Sequence, residues 1–389
     1  MKELTLSGTL KYWDKAREMK SLGIDVINFG NQPGTPKHVK EAAKKMLETT
    51  AAAQYTDPRG LSELREVISG KLKEENGIDA DSNTEIIVTI GGKEAIFIAF
   101  LATINPGDEI IVEDPAWVSY VPGIRLTGGV PKFLPLRQKN EFKIEQGDIE
   151  KIMTPRTKMI VICNPHNPTG SILERNDLHY ISDIAKDYNI LVLADECYEK
   201  FVYDGHKHYS IASLPGMKKR TITVQTTTKI YNMYGWRVGW VTASDKIVEK
   251  MLMIHSHSVS CAPSIAQAAA IAALSGNIGC GDMPIPDLIT QFQKQRDTMV
   301  DGLNEIPGIS CVCGRGGFFV FPNFSSFGMT SRKICEYLLE KERVIATPGI
   351  EFGRHGEGHL RFLYTSPIEE IQEGLKRVKK ALEEFKINA

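Results

Sequence analysis

The 389-residue sequence has no surplus of charge: 47 Lys and Arg stand against 48 Asp and Glu, and the sequence pI is near 6.8. A nucleic-acid or polyanion binder wants a basic excess, so that class is disfavoured. Long apolar runs are also missing. The longest, residues 95–104, is half of the ~20 residues that a membrane span requires. The first twenty residues lack the apolar core of a signal peptide. The seven cysteines are odd in number, scattered and never spaced C-x-x-C, which speaks against zinc ribbons and disulfide frameworks. Low-complexity linkers and internal repeats are absent as well. These absences predict a soluble, cytoplasmic protein without nucleic-acid, membrane or metal partners.

What is present is an alternation of apolar runs and helical patterns. Strands are expected at 86–89, 109–113, 158–163, 190–194 and 221–224, with helices at 92–103, 118–126 and 174–188 between most of them. That order predicts an α/β fold with a mostly parallel sheet covered by helices on both faces. Beyond 244 the pattern turns to long amphipathic helices at 246–258, 264–274 and 286–306. The tail mixes short strands (318–322, 344–347, 359–363) with helices at 331–341 and 367–385. The expected division is a large domain over 46–283 and a smaller α+β domain built from 284–389 together with 1–45.

In such sheets ligands bind beyond the carboxyl ends of the strands, so the residues that follow each run are the informative ones. Gly91-Gly92-Lys93 opens a helix and suits an anion, or is simply a tight turn. It is neither a dinucleotide fingerprint nor a G-x-x-x-x-G-K-[ST] loop. Trp117 follows the second run and is either a stacking surface or core. Asn164 and Asn167 sit in a loop stiffened by Pro165 and Pro168. Asp195, directly after a buried strand, needs a cation or a ring N–H unless it caps a helix. Lys229 stands near Thr226, Thr228 and Arg237: a desolvated lysine beside another cation becomes a nucleophilic amine, and the hydroxyls and guanidinium suit a phosphate. Arg361 lies in a short apolar strand, where a substrate carboxylate or an internal ion pair would answer it. An amine, a carboxylate, a phosphate cradle, a stacking ring and a carboxylate-binding arginine together are what pyridoxal phosphate requires.

The stretches YTDPRGLSELRE (55–66), TIGGKEA (89–95), DPAWVSY (114–120), NPHNPTG (164–170), ADECYE (194–199), TTTKIYNMYGWRVG (226–239) and GEGHLRF (356–362) carry a joint resemblance. In order and spacing the chain resembles fold-type I pyridoxal-phosphate enzymes of the class I aminotransferase family, in the aspartate/aromatic branch of bacteria and archaea. The resemblance implies a ping-pong transfer of the amino group of an L-amino acid to a 2-oxo acid, through an aldimine at Lys229. It implies that Asp195 pairs with the pyridinium nitrogen, that Tyr198 and Asn167 bond the ring hydroxyl oxygen, and that Trp117 stacks on the ring. Gly92 and Lys93, with Thr226, Thr228 and Arg237, would hold the phosphate. Tyr55 would reach the phosphate of a neighbouring subunit, which makes a homodimer part of the expectation. Arg361 would clamp the substrate α-carboxylate, helped by the backbone at Gly30.

Two segments depart from the family pattern. Relatives commonly read G-E-P-D-F-x-T-P where this chain has Gly30-Asn31-Gln32-Pro33-Gly34-Thr35-Pro36, and Lys11, Tyr12 and Trp13 follow Ser7-Gly8-Thr9 where smaller apolar residues are usual. In the family it resembles, the Lys of G-G-K can face an acidic substrate side chain, so the resemblance implies that Lys93 favours aspartate- or glutamate-like donors. Aromatic donors come next, on the expectation that Tyr12, Trp13 and Phe29 line that side. A pyridoxal-phosphate C–S lyase or elimination enzyme shares the same core residues and is the alternative. A regulator's sensor domain would need a DNA-binding domain that the sequence does not suggest.

Overall fold

The computed structural model describes residues 8–388. Ser7 lies outside the described residues, as do the side chains of Thr9, Lys11 and Trp13. Helices α1 (Gly8–Ser21), α2 (Lys37–Leu47) and α3 (Ser62–Lys71) precede the first strand. The chain then runs through β1 (Ile86–Thr89), α4 (Gly92–Thr103), β2 (Glu109–Asp114), α5 (Tyr120–Leu126), β3 (Val130–Pro135), α6 (Asp148–Ile152), β4 (Thr157–Cys163), α7 (Arg175–Asp187), β5 (Leu191–Asp195), β6 (Thr221–Thr226) and β7 (Gly239–Thr242). These strands form one seven-stranded sheet in the order β1-β7-β6-β5-β4-β2-β3. Only β7 is antiparallel to its neighbours.

Alternation decides which face each strand residue covers. Ile110, Val112, Met159 and Val161 pack in one core with α4 residues such as Ile96 and Phe100. Ile111, Ile160 and Ile162 face the other way, onto Leu178, Ile181 and Ile184 of α7. Each such fully buried aliphatic side chain contributes roughly 1.5–3 kcal/mol. With both faces covered, the strands read as continuous apolar runs, and their carboxyl ends meet along one edge. That edge carries Asp114, Cys163, Asp195 and Thr226.

Two strands of this sheet escaped the sequence pattern. β3 contains Pro131 and Pro135, which lack the N–H of a central strand. They are tolerated because β3 is an edge, bonded to β2 alone. β7 is four residues long and directly follows the irregular loop that carries Lys229, so no alternation announces it.

The rest of the chain is α8 (Asp245–Ser258), α9 (Ser264–Leu274), the two-residue pair β8 (Ile278–Gly279) and β9 (Met283–Pro284), and α10 (Ile285–Asn304), followed by β10 (Phe319–Val320), α11 (Ser331–Glu342), β11 (Thr347–Pro348), β12 (Leu360–Leu363) and α12 (Ile368–Asn388). β10, β12 and β11 form a small antiparallel sheet in that order. The strand expected over 318–322 shrinks to β10. The one expected over 344–347 becomes β11, with Val344 bridging Ile27 instead. Among the described residues no helix is long and apolar enough to cross a membrane.

Candidate active site

Lys229 sits in the loop after β6, at a cavity of about 500 Å³ whose lining includes Gly30, Trp117, Asn167, Tyr198 and Arg361. These sequence-nominated residues come from five separate segments and meet at the carboxyl edge of the sheet. The lysine Nζ is surrounded by aromatic rings, 4.7 Å from the centroid of Tyr234, 5.3 Å from Tyr198 and 5.7 Å from Phe318. Burial lowers its pKa from 10.5 to about 8, and the nearby Arg361 and Arg237 push the same way. A neutral amine is therefore accessible near physiological pH.

Asp195, the last residue of β5, is buried. Its Oδ2 accepts from the Tyr120 hydroxyl at 2.6 Å and its Oδ1 from the Cys197 backbone N–H at 3.2 Å. Burial first, and the Asp195 charge second, drive the Tyr120 phenol well above its usual pKa, so it stays a donor. No cation stands within ion-pair distance of Asp195 among the described residues. A buried carboxylate in that state fits a protonated ring nitrogen. Tyr120 is a site residue that sequence reasoning missed: it was visible in the DPAWVSY stretch, but nothing local says that it will meet a carboxylate 75 positions away. Tyr120→Phe removes one of these donors and is expected to destabilise the protein by about 1.5–3 kcal/mol. Chemical unfolding of the cofactor-free variant reads this, and unchanged stability would show that the carboxylate finds its donors elsewhere.

Beside the cavity lies a cradle. The N-terminus of α4 has no side-chain cap, so its first amides, at Gly92 and Lys93, face outward with the helix dipole behind them. Glycine is required here by crowding. A Cβ on Gly91, whose φ is +77°, would stand 2.5 Å from Arg237 Nη2, and one on Gly239 would stand 2.6 Å from the Gly92 nitrogen. The Thr226 and Thr228 hydroxyls lie 2.6 Å apart at the end of β6. Arg237 is held by two backbone carbonyls, of Tyr234 at 3.0 Å and Ile90 at 3.2 Å. A guanidinium fixed by neutral acceptors, hydroxyls and free helix amides together suit a phosphate.

Arg361 comes from β12, where strand alternation buries Leu360 and Phe362 in the core and turns Arg361 and Leu363 to the cavity. Its Nη1 donates to Asn167 Oδ1 at 3.0 Å, and its Cζ lies 4.8 Å from the Phe352 ring centroid. Its Nε is buried without a partner. Burial lowers its pKa to about 10, which leaves it cationic at neutral pH.

Not every nominated residue converges. Lys93 Nζ lies 5.2 Å from the Trp117 ring centroid and lines a neighbouring apolar cavity, with burial and then Arg237 lowering its pKa. Tyr55 is 86% exposed and does not line the cavity of its own chain. Tyr12 and Phe29 were expected on the substrate side and are not there. Both are buried core residues, and Phe29 packs edge-on against Phe362 with centroids 5.6 Å apart. The rings that do line the cavity, besides Trp117 and Tyr198, are Tyr234, Phe318 and Phe319.

A profile of the family described as aminotransferase class I and II matches residues 17–378. The chain is 38% identical over 380 residues to the aspartate aminotransferase of Pyrococcus abyssi, across 97% of this chain and 96% of that protein. It is 36% identical over 367 residues to aromatic-amino-acid aminotransferase 2 of Thermococcus litoralis, across 94% and 92%. The structure of Thermus thermophilus aspartate aminotransferase with maleate superposes with a TM-score of 0.90 at 31% identity, over 98% of each chain. The chain belongs to the class I and II aminotransferases and is a fold-type I aminotransferase.

Proposed function

From that membership, we propose that the enzyme works with pyridoxal 5'-phosphate and takes an acidic L-amino acid, of the aspartate or glutamate kind, as its favoured donor, with aromatic donors next. The observation that carries the donor class is the charge of the cavity. Among the described residues its lining holds the Arg361 guanidinium and the Lys229 amine, and no carboxylate. Lys93 adds a further positive charge behind Trp117. A substrate with two carboxylates matches that field. Maleate, the ligand of the Thermus relative, is itself a dicarboxylate.

The residues present fit the cofactor. The Gly92 and Lys93 amides, Thr226, Thr228 and Arg237 would hold its phosphate, Asp195 its ring nitrogen, Tyr198 and Asn167 its ring oxygen, and Trp117 its face. When bound, pyridoxal phosphate supplies a reactive carbonyl and a ring that draws electrons from the substrate α-carbon. Asp195, held in place by the Tyr120 hydroxyl, would hold a proton on the ring nitrogen. Lys229 Nζ would take the proton from the α-carbon and return it, and the ring cage around it limits water at that point. Arg361, planar and held by Asn167, would orient the α-carboxylate. The donor would leave as a 2-oxo acid before the acceptor enters, so the kinetics would be ping-pong. The exposed Tyr55 would complete a phosphate site in a second copy of the chain, giving a homodimer.

A single-turnover panel of amino donors without any 2-oxo acid tests this reading. Cofactor absorbance should bleach fastest with aspartate or glutamate and return when 2-oxoglutarate is added. Ammonia release without recovery would favour the C–S lyase or elimination reading, and absence of any cofactor band would sink the assignment of Lys229.

A further inference from the structure

The segment 30–36, where the sequence leaves the family pattern, borders the cavity and is firmly tied. The Asn31 backbone N–H donates to Ser366 Oγ at 3.1 Å, and its side chain grips the Glu370 carboxylate at 2.9 and 2.7 Å. The Pro33 carbonyl accepts from Asn232 Nδ2 at 2.6 Å, and Thr35 Oγ1 donates to the Asn232 carbonyl at 2.7 Å. Gln32 is the exception. Its backbone N–H donates to the Gly30 carbonyl at 3.1 Å, but both Oε1 and Nε2 of its side chain are buried without a partner.

Buried polar groups of native proteins are almost always paired, and an orphan asks for an explanation. Among the described residues lining the cavity, two carry such atoms: Arg361 and Gln32. For Arg361 the explanation is a substrate carboxylate. Gln32 borders the same space, beside the Tyr234 phenol. The amide is close enough to lower the phenol's pKa against the stronger opposite effect of burial, yet makes no bond of proper geometry with it. The Tyr234 ring in turn lies 4.7 Å from Lys229 Nζ. A tied loop thus presents an uncommitted amide to the region around the reacting amine.

We propose that Gln32 is a specificity-determining residue, whose Nε2–H donates to an oxygen of the substrate's distal carboxylate while Tyr234 limits the rotation of the amide. The proposal rests on the acidic-donor reading and adds to it the residue that tells an acidic side chain from an apolar one of the same length. Arg361 supplies positive potential to the whole cavity. Gln32 supplies a directed donor, which an apolar chain end leaves unpaired.

The test compares the loaded wild-type enzyme with Gln32→Leu and Gln32→Glu. The measured quantity is kcat/KM for two donor pairs: aspartate against 2-aminobutyrate, and glutamate against norvaline. Gln32→Leu should lower the acidic member of each pair about 10- to 100-fold, the range for one hydrogen bond to a charged group, and leave the apolar member within about twofold. Gln32→Glu should lower the acidic members further, by like-charge repulsion. Equal losses for acidic and apolar donors would indicate a loop-supporting role and overturn the proposal. A wild-type preference for acidic donors that survives Gln32→Leu sinks the Gln32 assignment alone. A wild type without that preference removes the acidic-donor reading as well.

Discussion

Lys229→Ala is expected to leave a folded protein that still holds cofactor noncovalently but transaminates about 10²- to 10⁴-fold more slowly, the span that loss of a positioned proton carrier produces. The fold should survive because the lysine amine lies at a cavity among rings and makes no ion pair that a core depends on. The chemistry should not survive, because no other amine among the described residues lines that cavity. With its pKa lowered to about 8, the wild-type amine is roughly a quarter neutral at pH 7.5, against about 0.1% for an ordinary lysine. Cofactor capture by the apo-enzyme should accordingly rise with pH, pass its midpoint at about 8 and level off roughly one pH unit higher. Stability carries the same signature. The native pKa is depressed below the unfolded value near 10.4, so the unfolded chain binds more protons between about 8 and 10.4, and the Lys229 contribution to stability grows with pH across that window. Lys229→Ala should flatten it. Near-normal turnover in the variant would contradict the assignment outright.

Arg361→Ala should raise the half-saturating concentration of amino and oxo acids alike by on the order of 100-fold, equivalent to about 2.7 kcal/mol, with a smaller effect on the maximal rate. Both substrates share the α-carboxylate, so both should suffer. Arg361→Lys should recover only part of the loss, because an ammonium keeps the charge but loses the planar fork. Asn167 already fixes one arm of that fork at 3.0 Å while Nε stays unpaired. Steady-state kinetics with aspartate and 2-oxoglutarate would decide the matter: unchanged affinity for either would place the carboxylate clamp elsewhere.

The main-sheet strands that could be read from the sequence are those buried on both faces, whose β-branched runs are unbroken. β3 was hidden by prolines that only an edge position excuses, and β7 by its brevity. The chemistry-bearing residues were legible where they terminate strands, because topology alone brings those ends together: Asp195 after β5, and Thr226 and Lys229 at β6. Tyr120, Gln32 and Tyr234 were not, since their roles depend on partners across the fold. Tyr12 and Phe29 show the converse problem. An aromatic near a loop looks the same in sequence whether it lines a cavity or fills a core, and the packing of Phe29 on Phe362 settled which.

Gly239 pairs with Thr89 on one side of β7 and with Thr226 on the other. The two halves of the phosphate cradle lie more than 130 positions apart in the chain, and this one strand seats them side by side. Local helix formation cannot create the cradle, because its closure waits for a long-range strand insertion of high loop entropy. A nascent chain that stops short of Gly239 therefore lacks the seat proposed for the phosphate, however well its earlier helices have formed. At a synthesis rate of about 5–20 residues per second, roughly seven seconds or more of translation separate the first half of that seat, at Gly92, from the strand that completes it.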